Sequence, residues 1–480
     1  MPLTILLSLI AALVITVLGV LPGCATAPRI AEPEFEWPLP DRWSVPGIVA
    51  DSLWWEGFAT EPLRALVAEA LERNYDLREA AGRLNAAAAQ ARLAGAPKWP
   101  QVGASGSGSR RRQSFIGFPI PGAASQVLST TTNNYGVSLN VSWEVDIWGK
   151  LRAGEAAALA DFMRAEANFR GANLSLVAQT ARAYFAVVEA DRQLQLATSN
   201  LEIQDLNLRQ IRLRYDEGLR PALDVHLARS NQAASEAVLE GRRRRLDLVT
   251  RQLEILVGRY PAAQLQTHGE LTPVEGPVPA GLPAGLLARR PDLVAAERQV
   301  AAAAARVSEA RRALYPRLSL TGSGGRASAE LGDLLDGDFG VWTMAANLSQ
   351  PLLQGGRLRA GVELAQSQHQ QAEALFAASL LRALGEVEAG LAADLYLAGQ
   401  ERALRRAAEE AIAARRLARE RYVQGLTDVL TLLDAQRRAH EAESQMLDVR
   451  RQQIDNRIDL HLALGGDFNW HSAGSVAGAR

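Results

Sequence analysis

Residues 135–149 read YGVSLNVSWEVDIWG, and apolar and polar side chains alternate along this stretch. The apolar or aromatic positions are Tyr135, Val137, Leu139, Val141, Trp143, Val145 and Ile147. A period of two over thirteen residues predicts a β-strand with one apolar face. Strands of soluble sheets have about 5 to 6 residues, whereas a tilted membrane-spanning strand needs about 9 to 11. Tyr135, Trp143 and Trp148 would suit the aromatic girdles of a bilayer. We therefore interpret the stretch as a membrane strand; the alternative is an amphipathic strand of a soluble sheet.

The same alternation recurs, more weakly, in VWTMAANLSQPL at 341–352. One side carries Trp342, Met344, Ala346, Leu348 and Leu352. A glycine- and serine-rich run opened by proline precedes each strand: PQVGASGSGS begins at Pro100, and PRLSLTGSGG begins at Pro316. We predict two β-hairpins, with long connectors near 109–134 and 325–340 as exposed loops.

The chain repeats itself. WGKLRAG at 148–154 is echoed by GGRLRAG at 355–361, and RYDEGL at 214–219 by RYVQGL at 421–426, both 207 residues later. ILVG at 255–258 and LALG at 462–465 close the two halves alike. Such self-similarity predicts two structural repeats. The first repeat is predicted at 61–258 with its hairpin at about 100–147, and the second at 286–466 with its hairpin at about 316–354, separated by a linker at 259–285 and followed by a tail at 467–480.

Long helices are predicted between the strands. Proline is absent from Gly122 to Arg220 and from Leu352 to the end, which favours helix. A helix from Gly154 to Gly218 would reach about 95 Å. Leu194, Leu201, Leu208 and Tyr215 recur every seven residues, a spacing typical of coiled-coil-like packing between neighbouring helices.

Composition excludes several classes of protein. The 480 residues carry 52 basic and 53 acidic side chains, so no net charge favours nucleic acid as a partner. The sequence has no GxxxxGK[ST], HExxH or GxSxG motif, and its six histidines are scattered. We therefore expect neither an enzyme nor a bound metal or cofactor. The arginine runs at 110–112 and 242–245 are interpreted as solvated surface, although 110–112, in the first predicted loop, could meet anionic lipid headgroups.

The N-terminus resembles a lipoprotein signal. Residues 3–21 are almost wholly apolar and lead into a lipobox, Leu21-Pro22-Gly23-Cys24, whose cysteine is the only one in the chain. We predict cleavage of a signal peptide at 1–23, acylation of Cys24, and an extended segment over 24–60. The alternative is a retained transmembrane helix, since about 18 to 20 apolar residues also span a bilayer. No Lys or Arg precedes Cys24, which leaves open whether Met1 is the true start.

Four membrane strands cannot close a barrel, and bacterial barrels begin at about eight strands. An open sheet edge in lipid would leave backbone groups unpaired at several kcal/mol each. The chain must therefore assemble with copies of itself, and the sequence allows a dimer or a trimer.

Four segments carry a family resemblance: WEVDIWGKLR (143–152), PLLQGGRLRAG (351–361), LTLLDAQRRAHEAESQ (430–445) and LLARRPDLVAAERQVAAAAARVSEARRALYPRLSLTG (286–322). The chain resembles the outer membrane efflux protein family, in the lipoprotein branch that serves RND-type tripartite pumps. The resemblance implies an α+β membrane protein: a homotrimeric channel with four transmembrane β-strands per chain in a 12-stranded barrel, continued by a long periplasmic α-helical barrel.

The implied function is passive export through the outer membrane, of small molecules delivered by an inner-membrane RND-type pump and a periplasmic adaptor. Outer-membrane lipid is the remaining implied partner. The alternatives are a type I protein-secretion channel and a periplasmic coiled-coil structural or adaptor protein.

The resemblance also implies two sets of site residues. The RYxxGL elements would form helix-to-helix turns that dock the adaptor, through Arg214, Tyr215, Gly218, Leu219, Arg421, Gly425 and Leu426. A closed pore above these turns would be held by Asp224, Tyr422, Leu430, Asp434 and Arg437. Some family members carry an arginine two residues beyond the tip glycine, where this chain has Thr427, so that ion pair is absent.

Overall fold

The computed structural model describes residues 43–44, 60–115, 128–267, 269–271, 278 and 283–466. The predicted signal peptide, Cys24, nearly all of the 24–60 segment and the 467–480 tail lie outside these residues. The chain divides into two compact units, and each unit takes segments from both sequence halves. One unit contains Ala88–Asp161 and Gln299–Glu373, and the other contains Phe162–Arg298 and Ala374–Arg480.

The first unit holds one antiparallel sheet in the order β1-β2-β3-β4. The strands are β1 (Gln101–Phe115), β2 (Leu128–Val145), β3 (Arg317–Ser328) and β4 (Gly340–Ser349). The connectors predicted at 109–134 and 325–340 are therefore wrong in extent, because β1 extends to Phe115, β2 begins at Leu128 and β3 extends to Ser328. In particular, residues 110–112 belong to β1 and are not in a loop. The serine, threonine and asparagine residues of this region are typical of loops and predicted one. Pairing between β1 and β2 extends the hairpin through them instead.

The two faces of the sheet differ in chemistry. Directly paired residues of an antiparallel sheet share a face. Val141 pairs with Gly322 and Gly322 with Met344, while Val145 pairs with Leu318 and Leu318 with Leu348. The residues of one face are therefore mainly apolar, and those of the other are mainly serine, threonine and asparagine. The strand predicted from the alternation at 135–147 is confirmed as far as Val145, where β2 ends.

Eight α-helices occur in the described residues. They are α1 (Glu61–Arg73), α2 (Tyr75–Gly95), α3 (Lys150–Asp216), α4 (Ala222–Leu256), α5 (Leu286–Arg289), α6 (Pro291–Arg312), α7 (Arg357–Val423) and α8 (Val429–Ala463). The pairs α3–α4 and α7–α8 have the same lengths, 67 and 35 residues. At 1.5 Å per residue each 67-residue helix extends about 100 Å.

The first LRAG segment lies in the first turns of α3, directly after β2. The Asp146 carboxylate accepts hydrogen bonds from the backbone N–H groups of Leu151 and Arg152, at 3.0 and 2.9 Å. Those N–H groups have no partner within the helix, so the carboxylate at the end of β2 caps it.

The second unit contains three apolar clusters. The largest joins α1, α3, α4 and α8 around Tyr184, Leu253 and Ile458. A second surrounds Leu293, Leu380 and Leu460, and a third lies beside the turns between the long helices. None of the described helices is both long and apolar enough to cross a membrane.

The buried stripe of α3 is partly polar. Gln193, Gln204 and Asn207 are buried, whereas Leu206 and Leu213 are exposed. The amide groups of Gln204 and Asn207 donate to Gln436 Oε1 of α8, at 3.3 and 2.7 Å. The leucines of the seven-residue spacing, Leu194, Leu201 and Leu208, are half-buried, so buried amide groups lie beside the leucine positions on α3.

Candidate functional site: sheet faces, helical tips and gate residues

The polar face of the sheet is suited to water. Ser105 Oγ lies 3.0 Å from Ser138 Oγ, and Asn140 Nδ2 donates to Ser105 Oγ at 2.9 Å. These groups pair across β1 and β2 while remaining exposed. The opposite face exposes Trp342, Met344 and Leu348, which suit hydrocarbon. A sheet with these two faces can separate a water-filled lumen from lipid.

The two RYxxGL elements form the turns between the long helices, and we call them the first tip (214–219) and the second tip (421–426). At the first tip the N–H of Gly218 donates to Tyr215 O and that of Leu219 to Arg214 O, both at 2.8 Å. At the second tip Gly425 donates to Tyr422 O at 3.0 Å and Leu426 to Arg421 O at 2.8 Å.

This pair of bonds is a Schellman motif, which satisfies carbonyls at a helix end and places a left-handed residue there. Gly218 and Gly425 have φ of 75° and 78°, a conformation that costs glycine least. Both glycines thus lie where the turn requires them. Leu219 and Leu426, just beyond, are each 67% exposed.

Tyr422 ties the two tips together. Its ring is buried, and two guanidinium groups contact it, with Arg214 Cζ at 5.0 Å and Arg220 Cζ at 5.4 Å from the ring centroid. Arg214 also donates to the carbonyl oxygens of Tyr422 and Val423, at 3.2 and 2.9 Å. Burial raises the pKa of the Tyr422 phenol, while the two nearby guanidinium groups act to lower it.

Asp224 lies near enough to Tyr422 for its charge to act on the phenol. It is buried in the first turn of α4, next to Val225, which packs with Tyr422 and Leu432. Its negative charge also acts to raise the pKa of the Tyr422 phenol. Asp224 and Tyr422 are therefore brought together inside the chain.

The other three predicted gate residues, Leu430, Asp434 and Arg437, lie on α8. They are on a different face of this helix from its buried residues, such as Leu432 and Gln436. The spacing of the three predicted residues, continued by Glu441, follows one helical stripe; Leu430, Arg437 and Glu441 are exposed, and Asp434 is half-buried. Arg437 donates to Asp434 Oδ1 at 2.6 Å and to Glu441 Oε1 at 2.8 Å, and Arg438 donates to Asp434 Oδ2 at 2.7 Å. Hydrogen bonds from Arg437 and Arg438 lower the pKa of the Asp434 carboxyl. We call these four residues the exposed stripe.

The predicted gate residues thus form two groups, one packed inside the chain and one on a free helix face. Arg220 was not among the predicted residues. A signal for it exists in the sequence, because Arg220 stands two residues beyond Gly218, at the position that Thr427 takes after Gly425. Within the described ranges, no three His, Cys, Asp or Glu side chains are grouped as a metal ion would need.

Comparison with known proteins identifies the family. The family model described as "Outer membrane efflux protein" matches residues 66–259 and 282–466. The chain is 33% identical over 456 residues to outer membrane protein OprJ of Pseudomonas aeruginosa, covering 93% of this chain and 94% of OprJ. It is 32% identical over 461 residues to the toluene efflux pump outer membrane protein TtgC of Pseudomonas putida, covering 94% of each.

Solved structures of outer membrane channels have a similar fold. The open state of the Neisseria gonorrhoeae MtrE outer membrane channel matches with a TM-score of 0.83 and 28% identity, covering 94% of this chain and all of MtrE. The outer-membrane channel OprN matches with a TM-score of 0.80 and 27% identity, covering 90% and 99%. The fold is that of a trimeric channel, in which four transmembrane strands per chain contribute to a 12-stranded barrel. The chain therefore belongs to the outer membrane efflux protein family.

Proposed function

We propose that the chain forms, as a homotrimer, the outer-membrane exit duct of a tripartite efflux system. Small molecules such as drugs are delivered by an inner-membrane RND-type pump through a periplasmic adaptor and leave passively. The duct itself carries out no chemistry and needs no cofactor. The observation that carries the proposal is the sheet with one serine- and asparagine-rich face and one apolar face, since such a sheet needs further copies to close.

Dye export tests this function. A strain lacking its own outer-membrane duct is expected to retain a fluorescent dye, and expression of this chain with its pump and adaptor should restore export. Native mass spectrometry of the detergent-extracted oligomer should give three times the mass of the mature chain. Restored secretion of a protein substrate without dye export would contradict the proposal and indicate a type I secretion duct.

The two tips are proposed to dock the adaptor. Their support is the pair of matched Schellman turns, with Arg214, Tyr215, Gly218 and Leu219 at one tip and Arg421, Gly425 and Leu426 at the other. Exposed apolar groups at a turn, here Leu219 and Leu426, are suited to contact with a partner.

Bulky residues at Gly218 or Gly425 are expected to reduce adaptor crosslinking while trimers persist. The matched control is Gly241, which lies within α4 and where an added Cβ would meet no atom within 4 Å. Crosslinking that is lost equally at Gly241, or lost at neither tip, would contradict the docking proposal.

The gate is proposed to consist of the two groups described above. The exposed stripe, with Leu430, Asp434 and Arg437, forms a ring by threefold symmetry, while Asp224 and Tyr422 hold the tip from which the stripe begins. One exposed ion pair contributes at most about 1 kcal/mol, but symmetry repeats each pair.

Conductance in planar bilayers tests the gate. The trimer with Asp224→Ala and Asp434→Ala is expected to conduct well above wild type. Asp247→Ala is the control, because Asp247 is exposed and bonded to an arginine four residues later, as Asp434 is to Arg438. Unchanged conductance of the double variant would refute the assignment.

Cys24 is proposed to carry acyl chains that anchor the mature N-terminus to the outer membrane, as its lipobox supports. Cys24→Ser is expected to abolish metabolic labelling with a fatty acid and to leave the signal peptide uncleaved. An unmodified Cys24 in wild-type protein would overturn this proposal.

A further inference from the structure

The connector between β3 and β4 folds onto the apolar face of the sheet. It contains two short 3₁₀ helices, Gly332–Leu335 and Gly337–Phe339. Arg326 Nη1 donates to Leu334 O at 3.1 Å, and Ser328 Oγ donates to Asp333 Oδ2 at 2.5 Å.

The positions of Arg326 and Ser328 in β3 show on which face of the sheet the connector lies. Arg326 is paired with Val137 and Ser328 with Tyr135, so both belong to the face that carries the apolar side chains of β2. The connector is therefore held against the lipid-facing side of the sheet, not the polar side.

A groove results between the connector and the sheet. Its volume is about 770 Å³, and it is lined by Val137 and Leu139 of β2, Gly324 of β3, and Leu331, Leu334 and Leu335 of the connector. Leu331 and Leu335 remain 67% and 88% exposed. Apolar walls on both sides, continuous with a face that lies against lipid, suit a hydrocarbon chain.

The groove lies at the outward end of the membrane strands. The other ends of all four strands continue into the helices, which are periplasmic, while the β3–β4 connector lies at the opposite end. β3 ends at Ser328, level with Tyr135, the aromatic residue that closes the apolar stretch of β2. Outer-leaflet lipid therefore surrounds the groove.

The β1–β2 hairpin continues beyond this level and adds positive charge. Arg110 is paired with Asn133 and Arg112 with Thr131. Because side chains alternate along a strand, both arginines lie on the same face as Tyr135, and Arg111 lies on the other. The bond from Arg112 Nη2 to Ser129 Oγ, at 3.2 Å, agrees with this face.

The distance to the groove suits one lipid molecule. From the level of Arg110 to that of Val137 is four residues, or about 13 Å at 3.3 Å per residue, and one strand spacing across is about 4.8 Å. The connector itself is acidic, with Glu330, Asp333, Asp336 and Asp338. It would repel phosphate, so an anionic headgroup is directed toward β1.

We propose that this outward surface binds a phosphorylated glycolipid of the outer leaflet, with one acyl chain in the groove and a phosphate held by Arg110 and Arg112. Arginine binds phosphate through paired, charge-assisted hydrogen bonds, which supports the headgroup assignment. The inference rests on the membrane placement of the sheet and is separate from the export of substrate.

Native mass spectrometry of the full-length, lipid-stripped trimer tests the headgroup site. The probe is bisphosphorylated lipid A, compared with its dephosphorylated form. Arg110→Gln and Arg112→Gln are each expected to weaken binding of the phosphorylated form roughly tenfold or more. Arg111→Gln, which removes the same charge from the opposite face, should leave it unchanged.

The groove is tested separately. Leu331→Asp and Leu335→Asp should weaken both forms of the lipid, since they act on the acyl chain, while the trimer mass remains unchanged. Equal losses for Arg111→Gln and Arg110→Gln, full displacement by inorganic phosphate, or wild-type binding by the leucine variants would each overturn the proposal. Dye export by Arg110→Gln is expected to remain normal, so failure here leaves the export function standing.

Discussion

The two tips share a motif, a turn and flanking helices of equal length, yet their tyrosines have opposite environments. Tyr215 is 43% exposed, whereas its repeat mate Tyr422 is 1% exposed. Arg214 of the first tip donates hydrogen bonds to the backbone carbonyl oxygens of Tyr422 and Val423 at the second tip. The motif therefore determines the backbone of the turn, and the neighbouring helices determine which tyrosine is buried.

The caps of the returning helices differ as well. Pro221 precedes α4 and has no side-chain hydrogen bond to it, whereas Asp428 precedes α8 and accepts from the N–H of Thr431 at 2.8 Å. The second tip thus has two stabilising features that the first lacks: the buried ring of Tyr422 and the side-chain cap of α8 by Asp428.

The largest expected difference between the tips concerns the tyrosines. Tyr422→Ala should destabilise the tip by about 3 to 5 kcal/mol, as for other large buried side chains. Tyr215→Ala should change stability by about 0.5 kcal/mol or less. Hydrogen exchange of peptides from the two tips, measured on intact trimers, would check this. Equal protection in both variants would mean that the burial of Tyr422 contributes nothing.

The second difference concerns a carboxylate without a counterpart. Asp455 of α8 is the repeat mate of Leu248, and burial raises its pKa to about 6, with Asp459 adding to the effect and Arg451 and Arg182 opposing it. The folded state thus favours protonated Asp455.

This contribution to stability is full below about pH 4 and is lost as pH rises through 6. Its size is at most roughly 3 kcal/mol, at 1.36 kcal/mol per pKa unit. Asp455→Asn should therefore unfold at a higher temperature than wild type at pH 7.5 and at the same temperature at pH 4, followed by circular dichroism. A difference in unfolding temperature between the variant and wild type that is the same at both pH values would contradict the titration of Asp455.

The tip glycines should behave alike, in contrast to the tyrosines. Gly218→Ala and Gly425→Ala should each cost about 1 to 2 kcal/mol, because an added Cβ disfavours a left-handed residue. At both sites the Cβ would meet no atom within 4 Å, so backbone strain is the whole effect. Gly241→Ala, in a helix interior, should instead stabilise by about 0.5 to 1 kcal/mol. Thermal unfolding of the three variants would measure this, and a large difference between the tips would show that contacts outweigh strain.

The smallest expected difference in stability comes from the residues that precede the returning helices, Asp428 before α8 and Pro221 before α4. Asp428→Ala should destabilise α8 by about 1 kcal/mol, while Asp428→Asn, which retains an acceptor, should change little. Pro221→Ala should have no comparable effect, since Pro221 has no side-chain cap to lose. Exchange rates of the first-turn amides in α8 and α4 would report both. Faster exchange in Asp428→Asn as well as in Asp428→Ala would indicate that charge, not the acceptor, matters.

Local sequence patterns predicted much of the fold. The alternation at 135–147 predicted a strand because side-chain direction in a strand has a period of two, and β2 includes this stretch as far as Val145. The proline-free stretches predicted the long helices because nothing in them breaks the backbone ladder, and the helices run from Lys150 to Asp216 and from Arg357 to Val423. Gly218 and Gly425 were predicted at the turns because left-handed backbone favours glycine.

The length of the β1–β2 hairpin could not be predicted in the same way. Residues 109–114 and 129–134 are polar, and their strands form because the apolar part of the hairpin brings them into register. Loop composition and solvent-exposed strand composition are alike, so the sequence alone favoured a loop.

The sequence by itself determined the elements, their order and the two repeats, together with the residues from which a tip and a gate could be built. Only the tertiary structure decided which of two identical motifs buries its tyrosine, and which predicted gate residues lie inside the chain and which on the exposed stripe. It also decided that the β3–β4 connector folds to the apolar side. The physical reason is that backbone preferences act between near neighbours in the chain, whereas burial and pairing depend on residues such as Arg214 and Tyr422, which are 208 positions apart.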